Sequence, residues 1–173
     1  MAQFDLQPTL TGDLLVIRPI RVSDYETLYQ AASDPLIWEQ HPEPTRYQRE
    51  VFQKFFDGAV QYGSGFVVLD KATGQLIGSS RYWDYRPDAD QIEIGFTFLV
   101  RSHWGGKYNA ELKRLMLDYI HPYVRRVVFM VGPENWRSRK AMEKIGGKLL
   151  PATECDDTDR GHPRVVYYID RPE

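Results

Sequence analysis

The segment from Ile92 to Leu112 sets the tightest limit on what this chain can fold into. It reads as an apolar strand, a turn carrying Gly105 and Gly106, and a helix whose first turn has unpaired backbone N–H groups beside Lys107. An anion gains at such a helix start from the free N–H groups and the helix macrodipole, and glycine lets it approach the backbone. The same sequence also serves as a plain strand-to-helix turn. A dinucleotide turn would need GxGxxG, and a P-loop would need a glycine five residues before Gly106 and Ser or Thr after Lys107. The chain has Arg101 and Tyr108 at those two places.

The surrounding pattern extends the strand and helix in both directions. Leu14–Ile20 reads as a strand, and Ser23-x-x-Glu26 has the form of a capping box for a helix to about Ala32. Asp34-Pro35 ends that helix, His41-Pro42-Glu43-Pro44 is irregular, and Thr45-x-x-Gln48 opens a second helix with Val51, Phe52, Phe55, Phe56 and Ala59 on one face. Phe66–Leu69 and Leu76–Tyr82 form a hairpin about Asp70–Gln75, and a turn from Asp84 to Asp90 leads to the strand beginning at Gln91. After the glycine turn, Leu112, Leu115, Met116, Tyr119 and Ile120 mark a helix that His121-Pro122 closes. Val127–Val131 is a buried strand, Asn135–Ile145 a short helix, Thr153–His162 a polar loop and Val165–Ile169 a last strand. The order β-α-α-β-β-β-α-β-α-β predicts an α/β (α+β) fold with a mixed, mostly antiparallel sheet flanked by helices.

With 173 residues, 42% of them apolar, one core of ordinary size closes and a second is cramped, so residues 1–173 are expected to be a single domain. A formal net charge of −2 provides no basic field for nucleic acid. Cys155 is the only cysteine, so no internal disulfide or Cys/His zinc set is expected. The N-terminus lacks a secretory leader, and no apolar run reaches the ~20 residues of a membrane span. A cytoplasmic protein with no membrane or metal partner is the expectation.

The glycine turn resembles the acetyl-coenzyme A motif of the GNAT superfamily, in the branch of ribosomal-protein N-terminal acetyltransferases, whose usual form is Trp-Gly-x-Gly-Tyr-x-x-Glu. Trp104, Gly105, Tyr108 and Glu111 fall in register. A second stretch, Asn135-Trp136-Arg137-Ser138 through Glu143-Lys144-Ile145-Gly146, resembles the family's downstream signature, and the order of elements agrees from Leu14 to Ile169. Two departures stand out. Lys107 occupies the place of the motif's second glycine, with Gly106 one position earlier, and Gly147 replaces an aromatic.

The resemblance implies a GNAT-type fold and an acetyl-CoA-dependent N-acetyltransferase that transfers acetyl directly to a primary amine in a ternary complex. It places acetyl-CoA against Phe98, Leu99, Val100, Arg101, Trp104, Gly105, Gly106, Lys107, Tyr108, Asn109, Asn135, Ser138, Arg139 and Lys140, with Arg137 also near. Glu93, on the strand leading into the turn, is either the general base or a salt-bridged strand residue. Ser138 is either a proton donor to the leaving thiolate or a helix serine bonded to a preceding carbonyl. A tyrosine acid one turn later is excluded, because Met142 fills that place. The acceptor cleft is expected at Trp38, Glu39, His41, Tyr82 and Trp83, for a small-molecule or peptide amine, in a monomer or homodimer. His103 and His121 read as structural residues at helix ends. A non-catalytic acyl-CoA-binding module and a different nucleotide-phosphate-binding protein remain as alternative functions.

Overall fold

Alternation of apolar side chains to two faces organises the sheet of this computed structural model, which describes residues 4–151 and 161–173. In the strand Gly65–Asp70 (β3), Phe66 and Val68 enter one core cluster while Val67 enters the other. Both faces of the sheet are therefore covered, as a period of two requires when helices pack on each side. The strands before β3 are β1 (Leu10–Thr11) and β2 (Leu15–Pro19), and those after it are β4 (Leu76–Arg86), β5 (Gln91–Leu99), β6 (Arg126–Val131), β7 (Lys148–Leu149) and β8 (Val165–Asp170). The helices are α1 (Tyr25–Ala32), α2 (Arg49–Gln61), α3 (Lys107–Ile120) and α4 (Trp136–Lys144). Leu28 of α1 and Phe52, Phe55 and Phe56 of α2 fill one core, and Leu112, Met116 and Ile120 of α3 fill the other.

The strand order is β1-β2-β3-β4-β5-β6-β8-β7. All neighbours pair antiparallel except β5 and β6, which run parallel. That parallel ladder covers Gln91↔Arg126, Ile92↔Val127 and Glu93↔Val128 and then stops. β6 continues against β8 as far as Val131↔Val165, and β5 continues against β4 as far as Leu99. The sheet therefore parts just beyond Glu93. Two residues of β5, Phe96 and Thr97, stand opposite Ser80 alone, and Phe96 takes a φ of 54°, which makes a bulge at the start of the gap.

The structure changes several local expectations. Ser23 does not cap α1: a 3-10 turn at Val22–Asp24 precedes the helix, and the Asp24 carboxylate accepts the Arg21 N–H (2.8 Å) and two Arg18 bonds instead. The buried Asp24 carboxylate, paired with the half-buried Arg18, makes charge-assisted bonds stronger than a serine hydroxyl offers. β4 runs on to Arg86, so Asp84, expected in the turn, lies within the strand at a φ of 46°. The two-residue strands β1 and β7 are too short to leave a pattern. Most of the expected loop from Thr153 to His162, Cys155 included, lies outside the described residues. No helix of the described residues is long and apolar enough to cross a membrane.

Candidate active site

The gap between β5 and β6 opens into two joined cavities. One, of about 620 Å³, runs past the start of α3 and the face of α4; the other, of about 320 Å³, lies over Glu93 and Lys113. His41, Thr97, Asn109, Asn135, Ser138 and Ala141 line both, and so mark the junction.

The larger cavity has the properties of a phosphate-bearing ligand's site. Gly105 and Gly106 have φ values of 111° and 112°, and a Cβ on either would meet nothing within 4 Å. Glycine is thus required by the backbone and not by crowding. Gly106 is the N-cap of α3 and no side chain caps it, so the first N–H groups of the helix are left for a ligand. Lys107, the first residue of α3, lines this cavity with Arg137, Lys140 and Lys144 of the facing helix. Arg137 is fixed: its Nη2 donates to the Ile37 carbonyl (2.7 Å) and its guanidinium lies 3.9 Å from the Trp104 ring centre. Trp104 in turn donates its indole N–H to the Leu99 carbonyl (2.9 Å). Beyond Glu93, β5 has no described strand on its β6 side, which leaves an edge for an extended ligand.

The smaller cavity holds the titratable groups. Glu93 is 2% exposed, and a Cβ on Gly95 would fall 2.6 Å from its Oε1, so a larger residue at 95 would displace the carboxylate. Lys113 is 3% exposed and donates from Nζ to Thr97 Oγ1 (2.7 Å), which shares a 2.8 Å hydrogen bond with Ser80 Oγ. Burial pushes the Lys113 pKa down to about 7 against the opposing pull of Glu93. Asn135, the N-cap of α4, accepts the Ser138 N–H (3.3 Å), which fixes the serine at the junction of the cavities. Pro42 lies where a Cβ of Gly132 would be, 2.6 Å away, so the irregular loop seats directly on the end of β6. Among the described residues no group of His, Cys, Asp and Glu is placed to hold a metal.

A family model described as "Acetyltransferase (GNAT) domain" matches residues 15–148. The chain belongs to the GNAT acetyltransferase family. Within that family it is 26% identical over 151 residues to the uncharacterized N-acetyltransferase p20 of Bacillus licheniformis, over 79% of this chain and 80% of the relative. A GNAT-family acetyltransferase from Bacillus anthracis superposes with a TM-score of 0.75 at 22% identity, covering 96% of this chain and all of that one. A spermidine N-acetyltransferase from Vibrio cholerae, solved with CoA and spermine, superposes with a TM-score of 0.68 at 17% identity, covering 92% of this chain and 97% of that one. Identities this low show the GNAT fold alone.

Against this GNAT frame the expected residues divide. Glu93, Ser138, Asn135, Asn109, Phe98, Leu99, Trp104, Gly105, Gly106, Lys107, Arg137, Lys140, Trp38 and His41 line the cavities. The others do not. Tyr82 is fully buried in the α3-side core with its hydroxyl donating to the Met116 carbonyl (2.6 Å), and Trp83 packs on Tyr62 and Phe96. Glu39 is exposed outside both cavities. The Val100 N–H donates to the Ile77 carbonyl (2.8 Å) and Arg101 pairs with Asp34, both on a separate surface groove. Arg139 bonds Tyr167 and the Pro133 carbonyl, and Tyr108 packs against His103. His103 does find partners, in Asp70 and Ser102, whereas neither ring nitrogen of His121 has one among the described residues.

Lys113, Arg46 and Lys144 line the cavities and were not expected from the sequence. Lys113 had a readable signal, because it follows Asn109 by one helical turn beside the apolar stripe of Leu112 and Met116. Arg46 had none, since its position depends on how the proline-rich loop folds back over Trp38.

Proposed function

We propose that this chain is an acetyl-CoA-dependent N-acetyltransferase that moves acetyl to a primary amine by direct transfer in a ternary complex. The supporting observation is one continuous cleft. A glycine-built helix start and a lysine and arginine face stand at one end, and a buried carboxylate stands at the other, with Asn135 and Ser138 between. The bound coenzyme supplies the acetyl thioester. Lys107, Arg137 and Lys140, with the N–H groups at the start of α3, hold its phosphates. The open edge of β5 at Phe98 and Leu99, together with Asn135, orients its extended arm.

Glu93 accepts the proton of the acceptor's ammonium, directly or through one water, so that the neutral amine attacks. Lys113, beside it, tunes that step: when charged it holds the Glu93 carboxylate, and when neutral it releases it. The Ser138 hydroxyl donates to the departing sulfur. No cysteine lies at the junction among the described residues. The branch resemblance at Trp104, Gly105, Tyr108 and Glu111 favours a peptide α-amine.

Thiol release from acetyl-CoA, measured over pooled amines, tests the reading. Turnover with at least one pool is expected, falling about 10²-fold or more in Glu93→Gln and about tenfold in Ser138→Ala. Thermal stabilisation by CoA without turnover in any pool would mean a binding module instead.

A further inference from the structure

The smaller cavity has a donor arrangement that lacks an acceptor. His41 Nδ1 accepts the Glu43 backbone N–H (2.9 Å), so that nitrogen carries no proton. Burial first, and Arg46 second, push the His41 pKa down to about 3, so the ring is neutral at pH 7 and its one proton sits on Nε2. Arg46 Nη1 lies 3.4 Å from that same Nε2. Two donors therefore face each other, and no hydrogen bond forms between them. Arg46 Nε is also buried with no hydrogen-bond partner among the described residues. Its guanidinium is held in place by the faces of Trp38 and Phe55, with ring centres at 5.1 and 4.8 Å.

The nearby acid does not fill this role. Glu43 acts on Arg46 through its charge alone, and its Oε1 accepts from Thr45 Oγ1 (2.5 Å). Among the described residues lining this cavity, Glu93 is the only carboxylate, while Arg46, Lys113 and Arg164 are basic. One carboxylate suits one ammonium. A second ammonium would be stripped of water beside Arg46 and Lys113, so a polyamine fits poorly.

We propose that the acceptor is a small primary amine that also carries an oxyanion group, a carboxylate or a phosphate, which accepts from the Arg46 guanidinium and His41 Nε2 while the amine lies toward Glu93. The proposal rests on the acetyl-transfer reading of the same cleft. The volume of about 320 Å³ is large enough for a molecule of amino-acid size.

Matched acceptor pairs test it: each α-amino acid against its carboxamide, phosphoethanolamine against ethanolamine, and spermidine as a polycation. The expected result is a kcat/KM preference of about tenfold or more for the anionic member of at least one pair, carried by KM. Which pair responds separates carboxylate from phosphate. In Arg46→Gln that preference falls toward one, and Arg46→Lys restores part of it. Equal turnover of both members of every pair, turnover confined to spermidine, or a preference that survives Arg46→Gln would overturn the proposal.

Calorimetric titration of the same pairs into the wild-type CoA complex gives a readout that does not need turnover. Tighter binding of the anionic member with no acetyl transfer would keep the proposal and remove the enzyme reading. Turnover of neutral amines alone would do the reverse. The wild-type comparison decides even if Arg46→Gln fails to fold, and His41→Gln offers a second variant.

Discussion

Glu111 accepts the backbone N–H groups of Asp13, Leu14 and Leu15 at 2.9, 2.7 and 2.8 Å, and ties α3 to the start of β2. A Cβ on Gly12 would lie 2.6 Å from its carboxylate carbon, so the turn is shaped around it. The glutamate of the coenzyme-motif pattern is thus a structural residue in this chain. Replacing it with alanine strands three donors, and urea denaturation of Glu111→Ala is expected to read a loss of about 3 kcal/mol or more. Lys113 carries the second expectation at this scale. Below about pH 7 it gains a proton beside Glu93, so kcat/KM should rise with pH through that value. A pH profile of Lys113→Met should lack this inflection. Its unfolding should show the sign as well. A lysine held below its usual 10.5 destabilises the native state most under pH 7 and not at all above about 10.5, so Lys113→Met should gain more stability at pH 6 than at pH 10.

Among the elements, the β5-turn-α3 unit was the most legible, because each part has a local cause. Alternation marks the strand, Gly105 and Gly106 have to adopt positive φ, and a period of 3.6 marks the helix. The departure at Lys107 is resolved by position. The glycine shifted to 106 takes the N-cap, and the lysine becomes the first helical residue, with its ammonium 5.3 Å from the Tyr108 ring centre. Gly106→Ala forces a φ of 112° on a side chain, so calorimetry should read CoA affinity reduced about tenfold, with strain of about 1–3 kcal/mol in unfolding. The splay of β5 from β6 was not legible. Apolar composition predicts two buried strands, but the ladder's end at Glu93↔Val128 follows from the bulge at Phe96 and from which strand each edge pairs with. Tyr82 and Trp83 were misplaced for a related reason: an aromatic in a strand does not reveal which face is covered.

For the molecule as a whole, the pH response follows from groups buried by folding. His41 and His121 are both held below the usual histidine value, chiefly by burial, so the native state takes up their protons less readily than the unfolded chain. Stability contributed in this way is complete above about pH 6.5 and is lost as pH falls toward the folded values. Asp170, paired with Arg126, and Asp34, paired with Arg101, add a second loss below about pH 4. Urea midpoints taken from pH 8 to pH 3 should fall in these two stages, and His41→Gln should flatten the first. The sequence by itself determined the order of the longer elements and the glycine-built helix start, because propensity, periodicity and positive-φ demand act over a few neighbouring residues, and its motif resemblance supplied the candidacy of Glu93, Asn135 and Ser138. Only the tertiary structure decided where the sheet parts, that Lys113 lies beside Glu93, and that Arg46 and His41 present facing donors to one cavity. Those depend on contacts between residues far apart in the chain, whose burial and charge no local pattern encodes.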